Sequence, residues 1–308
     1  MGRSKRGLAI DGVVLLDKPL HLSSNDALQK VRRLFNARKG GHTGSLDPLA
    51  SGLLPICFGE ATKLSSYLLS APKCYEVTAS VGFETETGDR EGAPSEHSDT
   101  AVPERDAFVE LLKSFSGAQT QIPPMYSALK VNGKPLYAYA RAGETIERAP
   151  RAIMVHSLEC TARTTDSFAL VLTVSGGTYV RTLVEDIARA FGGRAHVAAL
   201  RRTGVGPLGR DLPMVTLAAL EEAAGDSRND WLHSLDLLVS DWPSVSLDCD
   251  QTTAIGYGQR IACPPVKGDV SPDSLLRIDS QDAGMIGVGF IDEQGRLAPK
   301  RLFSSASK

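Results

Sequence analysis

The chain has 308 residues and a mass of 32.8 kDa, which at roughly 100–200 residues per domain fits two domains or one large domain with an appendage. Hydrophobic residues make up 42% and charged residues 23%, which excludes a mostly disordered chain and a collagen-like one. The formal net charge of −2 hides a segregated pattern: 10 Lys/Arg against 5 Asp/Glu over residues 1–70 and 13 against 6 over 111–210, but 3 against 10 over 71–110 and 8 against 15 over 211–308. If the basic stretches fold together they form a face that attracts a polyanion by counterion release; otherwise this is ordinary solvated charge.

The first residues, MGRSKRGLAID, are basic, and the apolar run that follows is interrupted by Asp11 and has no small-residue cleavage site, so a secretory signal is not expected. No run approaches the roughly 18–20 apolar residues of a membrane span. GVVLLDKP (12–19) reads as a strand ended by Pro19. SSNDALQKVRRLFN reads as a helix capped by Ser23 or Ser24, with Leu28, Val31, Leu34 and Phe35 as its apolar stripe. A glycine-rich loop, ARKGGHTGSLDPLASG (37–52), follows. CYEVTASVGFETET alternates, with Tyr75, Val77, Ala79, Val81 and Phe83 on one face of a half-buried strand. Residues 88–103 are acidic and turn-rich, a surface loop. Residues 121–151 hold four prolines, three tyrosines and five Lys/Arg against two Glu, and read as a long exposed excursion. SFALVLTVSGGTYVRTLVEDIARAFGG gives a strand, a Gly176-Gly177 turn and a helix with the stripe Val180, Leu183, Val184, Ile187, Ala188 and Phe191, stopped by Gly192-Gly193. A second unit starts near Trp242-Pro243 and reads as short strands, including a hairpin of MIGVGFI and RLAPKRLF about the turn DEQG. The pattern predicts an α+β fold dominated by antiparallel pairing. Five scattered cysteines without a CxxC pair (Cys57, Cys74, Cys160, Cys249, Cys263) fit a reducing cytoplasm better than a disulfide framework or a zinc site. The absence of heptads makes a monomer the default.

The densest chemistry lies in GGHTGSLDPLASG. It fits neither the phosphate-loop template nor GxGxxG, and His42, Ser45 and Asp47 sit too close together to make a triad joined from distant segments. What remains is one carboxylate, Asp47, fixed by Pro48 among glycines that permit close approach, or a plain turn in which Asp47 bonds its own backbone. Tyr75 is either a pocket wall or a core tyrosine. Tyr179 and Arg181 open a helix, where an anion is favoured, but Arg181 equally suits an i,i+4 pair with Glu185. His196, Arg201 and Arg202 flank Leu200 and read in isolation as a solvated helix end.

Taken in order, five segments resemble the bacterial tRNA pseudouridine-55 synthases, the TruB family, over nearly the whole chain. They are GVVLLDKP with SSNDALQKVRR, GGHTGSLDPLASGLLPICFGEATKLSSYLL, QIPPMYSALKVNGKPLYAYAR, GGTYVRTLVEDIA and AHVAALRRT. Departures are small: Ser45 and Ser51 stand where relatives often carry Ala and Thr, and Leu20-His21-Leu22 replaces a glycine-containing turn. The resemblance implies a pseudouridine-synthase fold, a curved and largely antiparallel mixed sheet with flanking helices and a central cleft. It places the catalytic domain in residues 1–240, with an RNA-binding thumb-like insertion at about 121–151, and a small β-rich PUA-like RNA-binding domain in 241–308. It implies isomerisation of uridine 55 in the T loop of tRNA, with no cofactor, no metal, no membrane and no protein partner. Carried over, Asp47 is the catalytic carboxylate, His42 helps hold the RNA with its base turned out, Tyr75 and Tyr179 line the uracil pocket, Arg181 pairs with Asp47, and Leu200 packs against the base. Two rival classes stand beside it: an RNA-binding protein without turnover, and a glycosidase, which would usually need a second carboxylate such as Glu60 or Asp89.

Overall fold

The computed structural model describes residues 7–271 and 274–304. The basic residues 1–6 lie outside the described residues. Nine strands form the main sheet: β1 (Gly12–Lys18), β2 (Gly40–His42), β3 (Ala50–Phe58), β4 (Lys73–Val81), β5 (Gly117–Gln121), β6 (Arg151–Arg163), β7 (Ser167–Val174), β8 (Ala195–Val205) and β9 (Val215–Thr216). Their order is β9-β1-β3-β8-β4-β7-β6-β5, with β2 added to β3; only the β1/β9 and β3/β8 pairs are parallel. The α+β layout with mainly antiparallel pairing is therefore the observed one.

Helices α1 (Ser24–Leu34) and α2 (Val180–Ala190) cover one face. Ser23 caps α1 by accepting a hydrogen bond from the Asp26 amide, and Ala27, Leu28 and Val31 are buried on its sheet side. The α2 stripe puts Val184, Ile187 and Ala188 wholly out of water, a gain of roughly 1.5–3 kcal/mol for each large side chain. The opposite face of β1 and β3, with Val13, Leu15, Leu53 and Cys57, packs on Val239, Trp242, Val288 and Phe303.

A six-stranded C-terminal sheet contains β10 (Ser244–Leu247), β11 (Ile261–Ala262), β12 (Val266–Lys267), β13 (Leu275–Ser280), β14 (Gly284–Ile291) and β15 (Arg296–Leu302), in the order β11-β15-β14-β13-β10-β12. The hairpin expected at its end is β14–β15. The unit is not all strands: a helix spans Cys249–Gly256, opened by a capping box between Asp248 and Gln251. Two other expectations are corrected. Phe83 does not continue β4, because Gly82 at φ +125° breaks the strand before it. The segment AHVAALRRT is not a helix end but the middle of the sheet, β8, paired on both sides.

Residues 121–151 form an excursion closed at its base, where Arg151 of β6 faces Gln121 of β5. It carries a two-residue Asn132-Gly133 turn with both φ positive (52° and 79°) between Lys130–Val131 and Lys134–Pro135, the geometry that suits a tight hairpin, and then one helical turn, Leu136–Ala140.

Candidate active site

Residues 43–49 join β2 to β3 and carry Asp47. The loop is anchored on both sides of that residue. Leu46 and Leu49 are buried, the Ser24 hydroxyl accepts from the Leu46 amide at 2.7 Å and donates to its carbonyl at 2.9 Å, and the Pro48 carbonyl accepts from the His21 amide at 2.7 Å. His21 has φ 61°, so the glycine-free turn 20–22 adopts the left-handed geometry that glycine more commonly supplies. Held in this way, the Asp47 side chain bonds no part of its own loop among the described residues. It meets Arg181 instead, with Nε 3.0 Å from Oδ2.

Arg181 stands in the first turn of α2 with its side chain 5% exposed. Its remaining nitrogens do not form a two-pronged fork on Asp47. Nη1 donates to the Thr87 carbonyl and lies 3.6 Å from the Asp89 carboxylate, while Nη2 donates to the Tyr126 carbonyl at 2.8 Å. The i,i+4 alternative fails, because Glu185 lies 3.9 Å from Arg189 instead. Burial raises the Asp47 pKa above the ordinary carboxylate value, and Asp89 adds to that, against the opposing pull of Arg181 and Lys18. Arg181 by itself favours the ionised form, but desolvation outweighs the ion pair in the free protein.

One row of the sheet builds the floor behind this loop. Lys18 of β1 faces Gly52 of β3, Gly52 faces Arg202 of β8, and Arg202 faces Tyr75 of β4. Alternation sends Arg202 to the side of Tyr75 and Arg201 to the other. Arg201 pairs with Asp17 at 2.8 and 2.9 Å, whereas Arg202 is wholly buried and donates to the carbonyls of Leu53, Gly44 and Ser45 at 2.8, 3.0 and 3.4 Å. Gly52, at φ 98°, leaves room for the Arg202 backbone, whose carbonyl oxygen would sit 2.2 Å from any Cβ there. Lys18, also wholly buried, donates to the Pro19 and Leu22 carbonyls at 2.8 and 2.7 Å, and burial lowers its pKa to about 8 against the attraction of Asp47. Burial holds the Tyr75 hydroxyl above its ordinary pKa, against the Arg202 guanidinium beside it.

His42 ends β2, with Nδ1 accepting from the Gly44 amide at 3.3 Å; burial and then Arg202 lower its pKa, which favours the neutral ring. Tyr179 precedes α2. Its amide donates to the Gln121 side chain at 2.8 Å, the same Gln121 donates back to its carbonyl at 3.0 Å, and the Arg151 guanidinium lies 4.7 Å over its ring. Leu200 pairs with Ala50 and Val77 and is buried. The structure thus joins Asp47 to Arg181 directly and sets Tyr75 in the row behind the loop. Sequence reading missed Lys18 and Gln121, and it set Arg202 at a solvated helix end although the side chain is wholly buried in the sheet. The alternation in ALRRT would have separated the two arginines, had the segment been read as a strand.

A groove of about 640 Å³ opens on the other side of the sheet, lined by Glu76, Thr78, Arg90, Val171, Arg201 and Arg210 among others. It touches the Asp47 neighbourhood through Leu49 and Leu200, but Asp47, Tyr75, Tyr179 and Arg181 do not line it. Among the described residues no three His, Cys, Asp or Glu side chains are grouped to hold a metal ion, and no helix is long and apolar enough to cross a membrane.

Three family models account for almost the whole chain. Residues 32–180 match the TruB family pseudouridylate synthase N-terminal domain, 181–241 the tRNA pseudouridylate synthase B C-terminal domain, and 243–303 the pseudouridine synthase II TruB C-terminal model. Curated relatives named tRNA pseudouridine synthase B include one from Burkholderia mallei, 48% identical over 96% of this chain and 97% of its own length. The chain belongs to the TruB family. Other TruB relatives of the same printed name come from Pseudomonas putida, 47% identical over 96% of each chain, and Nitrosococcus oceani, 44% identical over 99% of this chain and 98% of its own. The TruB fold extends to more distant solved structures. A chain of a Cbf5-Nop10-Gar1 complex superposes with TM-score 0.75 at 24% identity, covering 95% of this chain and 84% of that one. A chain of an H/ACA RNP bound to a substrate RNA gives 0.75 at 20% identity, covering 100% and 92%. Both show the pseudouridine-synthase fold.

Proposed function

We propose that this protein isomerises uridine 55 in the T loop of tRNA to pseudouridine, with Asp47 as the catalytic carboxylate. The observation that carries the reading is the Asp47–Arg181 pair, a carboxylate held by a buried arginine, with Asp89 on the arginine's other side, in a chain of the TruB family. In the reaction the N1–C1′ bond breaks, the ring turns, and a C5–C1′ bond forms; C5 gives up its proton and N1 takes one, so no group or electron is gained. The target base must leave the stack, which costs a few kcal/mol, and stacking on an aromatic wall returns roughly 1–3 kcal/mol. Tyr75 and Tyr179 would form that wall, with Leu200 against the base and His42 holding the RNA at the loop. Burial raises the Asp47 pKa against the pull of Arg181, so Arg181 acts by holding and orienting the carboxylate as the RNA closes over the site. The basic stretches supply phosphate affinity and the pocket supplies the choice of base. Residues 241–308 would form a separate RNA-binding domain, and the enzyme would act as a cytoplasmic monomer.

The test is incubation with unmodified tRNA carrying base-labelled uridine, read for pseudouridine, free uracil or neither. Pseudouridine at one T-loop position is expected. Asp47→Asn should form none while binding tRNA within about tenfold of wild type, because phosphates dominate affinity. Near-normal pseudouridine formation by the Asn variant would remove Asp47 from the chemistry.

A further inference from the structure

Two arginines at the base of the excursion have no counter-charge. Arg148 donates from Nη1 to the Pro123 carbonyl at 3.2 Å, but its Nε is buried without a partner. Arg151 has both Nε and Nη2 buried without partners. Among the described residues neither guanidinium lies within ion-pair distance of a carboxylate, whereas Lys113 pairs with Glu110 and Arg163 with Glu104. A desolvated guanidinium with unmade hydrogen bonds is unfavourable, and arginine does not escape by giving up its proton.

The geometry around Arg151 shows what is left open. Its face lies on the Tyr179 ring, 4.7 Å from the centroid. A stacked guanidinium keeps its N–H donors in its own plane, free for a planar or forked acceptor. Beside it Gly177, at φ 86°, has no side chain; a Cβ there would come 3.6 Å from Nη1. The register Arg151↔Gln121, and the double hydrogen bond of Gln121 to Tyr179, tie this spot to the start of α2, two residues before Arg181.

We infer that Arg151, with Arg148, is a seat for an RNA backbone phosphate. An oxyanion against the remaining edge of Arg151, at Nη1 beside Gly177, supplies the counter-charge that the described residues do not. It also presses Arg151 against Tyr179, so that RNA binding at the base of the excursion fixes a ring of the proposed uracil pocket. The inference rests on the reading above that the chain acts on RNA.

The experiment measures tRNA affinity of the full chain against salt concentration for wild type, Arg151→Met, Arg151→Lys and Arg105→Met. Arg105 lies on the outer helix Arg105–Lys113 and controls for a bare change in net charge. Arg151→Met is expected to reduce the slope of log affinity against log salt by about 0.7–0.9, the share of one phosphate contact. Arg151→Lys, which keeps the charge, and Arg105→Met should keep the wild-type slope. A wild-type slope for Arg151→Met overturns the seat, whatever happens to turnover, and leaves Arg151 as a prop for Tyr179. If circular dichroism shows that Arg151→Met is unfolded, Arg148→Met decides in the same way: a reduced slope supports the seat and a wild-type slope overturns it. Wild-type protein that binds tRNA without making pseudouridine would defeat the proposed function and leave the slope comparison standing. Normal pseudouridine formation with an unchanged slope would defeat the seat alone.

Discussion

Arg181 donates toward three stretches of backbone and side chain at once: Asp47, the turn at Thr87 and the excursion at Tyr126. Lysine brings one charged point and cannot span them. Arg181→Lys is therefore expected to lower single-turnover pseudouridine formation by at least about 100-fold, the scale of one preorganised electrostatic contact. It should also cost roughly 1–3 kcal/mol of stability, because buried carbonyls lose charge-assisted donors. Stopped turnover and a thermal midpoint measured together check both; a variant with full turnover would remove Arg181 from the site. That arginine was legible in the sequence only as one of two choices, since the spacing to Glu185 is equally good for a helix-surface pair. Arg202 was legible only as one half of an arginine pair at a supposed helix end. Two adjacent arginines look alike in a string, and only the period of a strand sends one to Asp17 and the other under the Asp47 loop.

At the scale of elements, α2 carries both the site and a titrating group. Its stripe from Val180 to Ala188, its glycine stop and the Ser23 cap of α1 were all readable, because local chemistry sets them. The helix Cys249–Gly256 was missed although its capping box stands in the sequence as Asp248 and Gln251; it is short and its apolar face is weak. On α2, Glu185 has its pKa raised to about 7, first by burial and then by Glu84 and Asp186, against Arg189. The sign follows directly. Between 4.5 and about 7 the folded state holds this proton more tightly than the unfolded chain does, so stability falls as pH rises through that window. Glu185→Gln removes the loss. It is expected to raise the thermal midpoint at pH 8, by a free energy of the order of 1–3 kcal/mol, and to change it little at pH 4. Midpoints measured across that range check the sign; a variant less stable than wild type at pH 8 would contradict it.

For the whole molecule, the boundary between the two sheets is apolar. Val13, Leu15 and Leu53 of the main sheet share a core with Val288 of the C-terminal one, and Tyr67 meets Trp242 edge to face at 5.3 Å between ring centroids. Sequence marked the change near Trp242-Pro243 but gave no sign of this contact, since each strand's second face finds its partner only in three dimensions. The consequence is one cooperative unit. A single calorimetric transition is expected for the full chain, with calorimetric and van't Hoff enthalpies in agreement; two resolved transitions would show the sheets melting separately. The partners of Arg181 also impose an order in time. Thr87 and Tyr126 precede it by 94 and 55 residues, so on the ribosome, at roughly 5–20 residues per second, the turn at Thr87 waits about 5–20 s for the arginine that will fasten it. During that interval Asp47 has been made but its cleft has not. A half-synthesised chain therefore carries the carboxylate in open water, without the arginine that pairs with it, and if Asp47 is the catalytic group, as proposed, such a nascent chain is expected to leave tRNA unmodified.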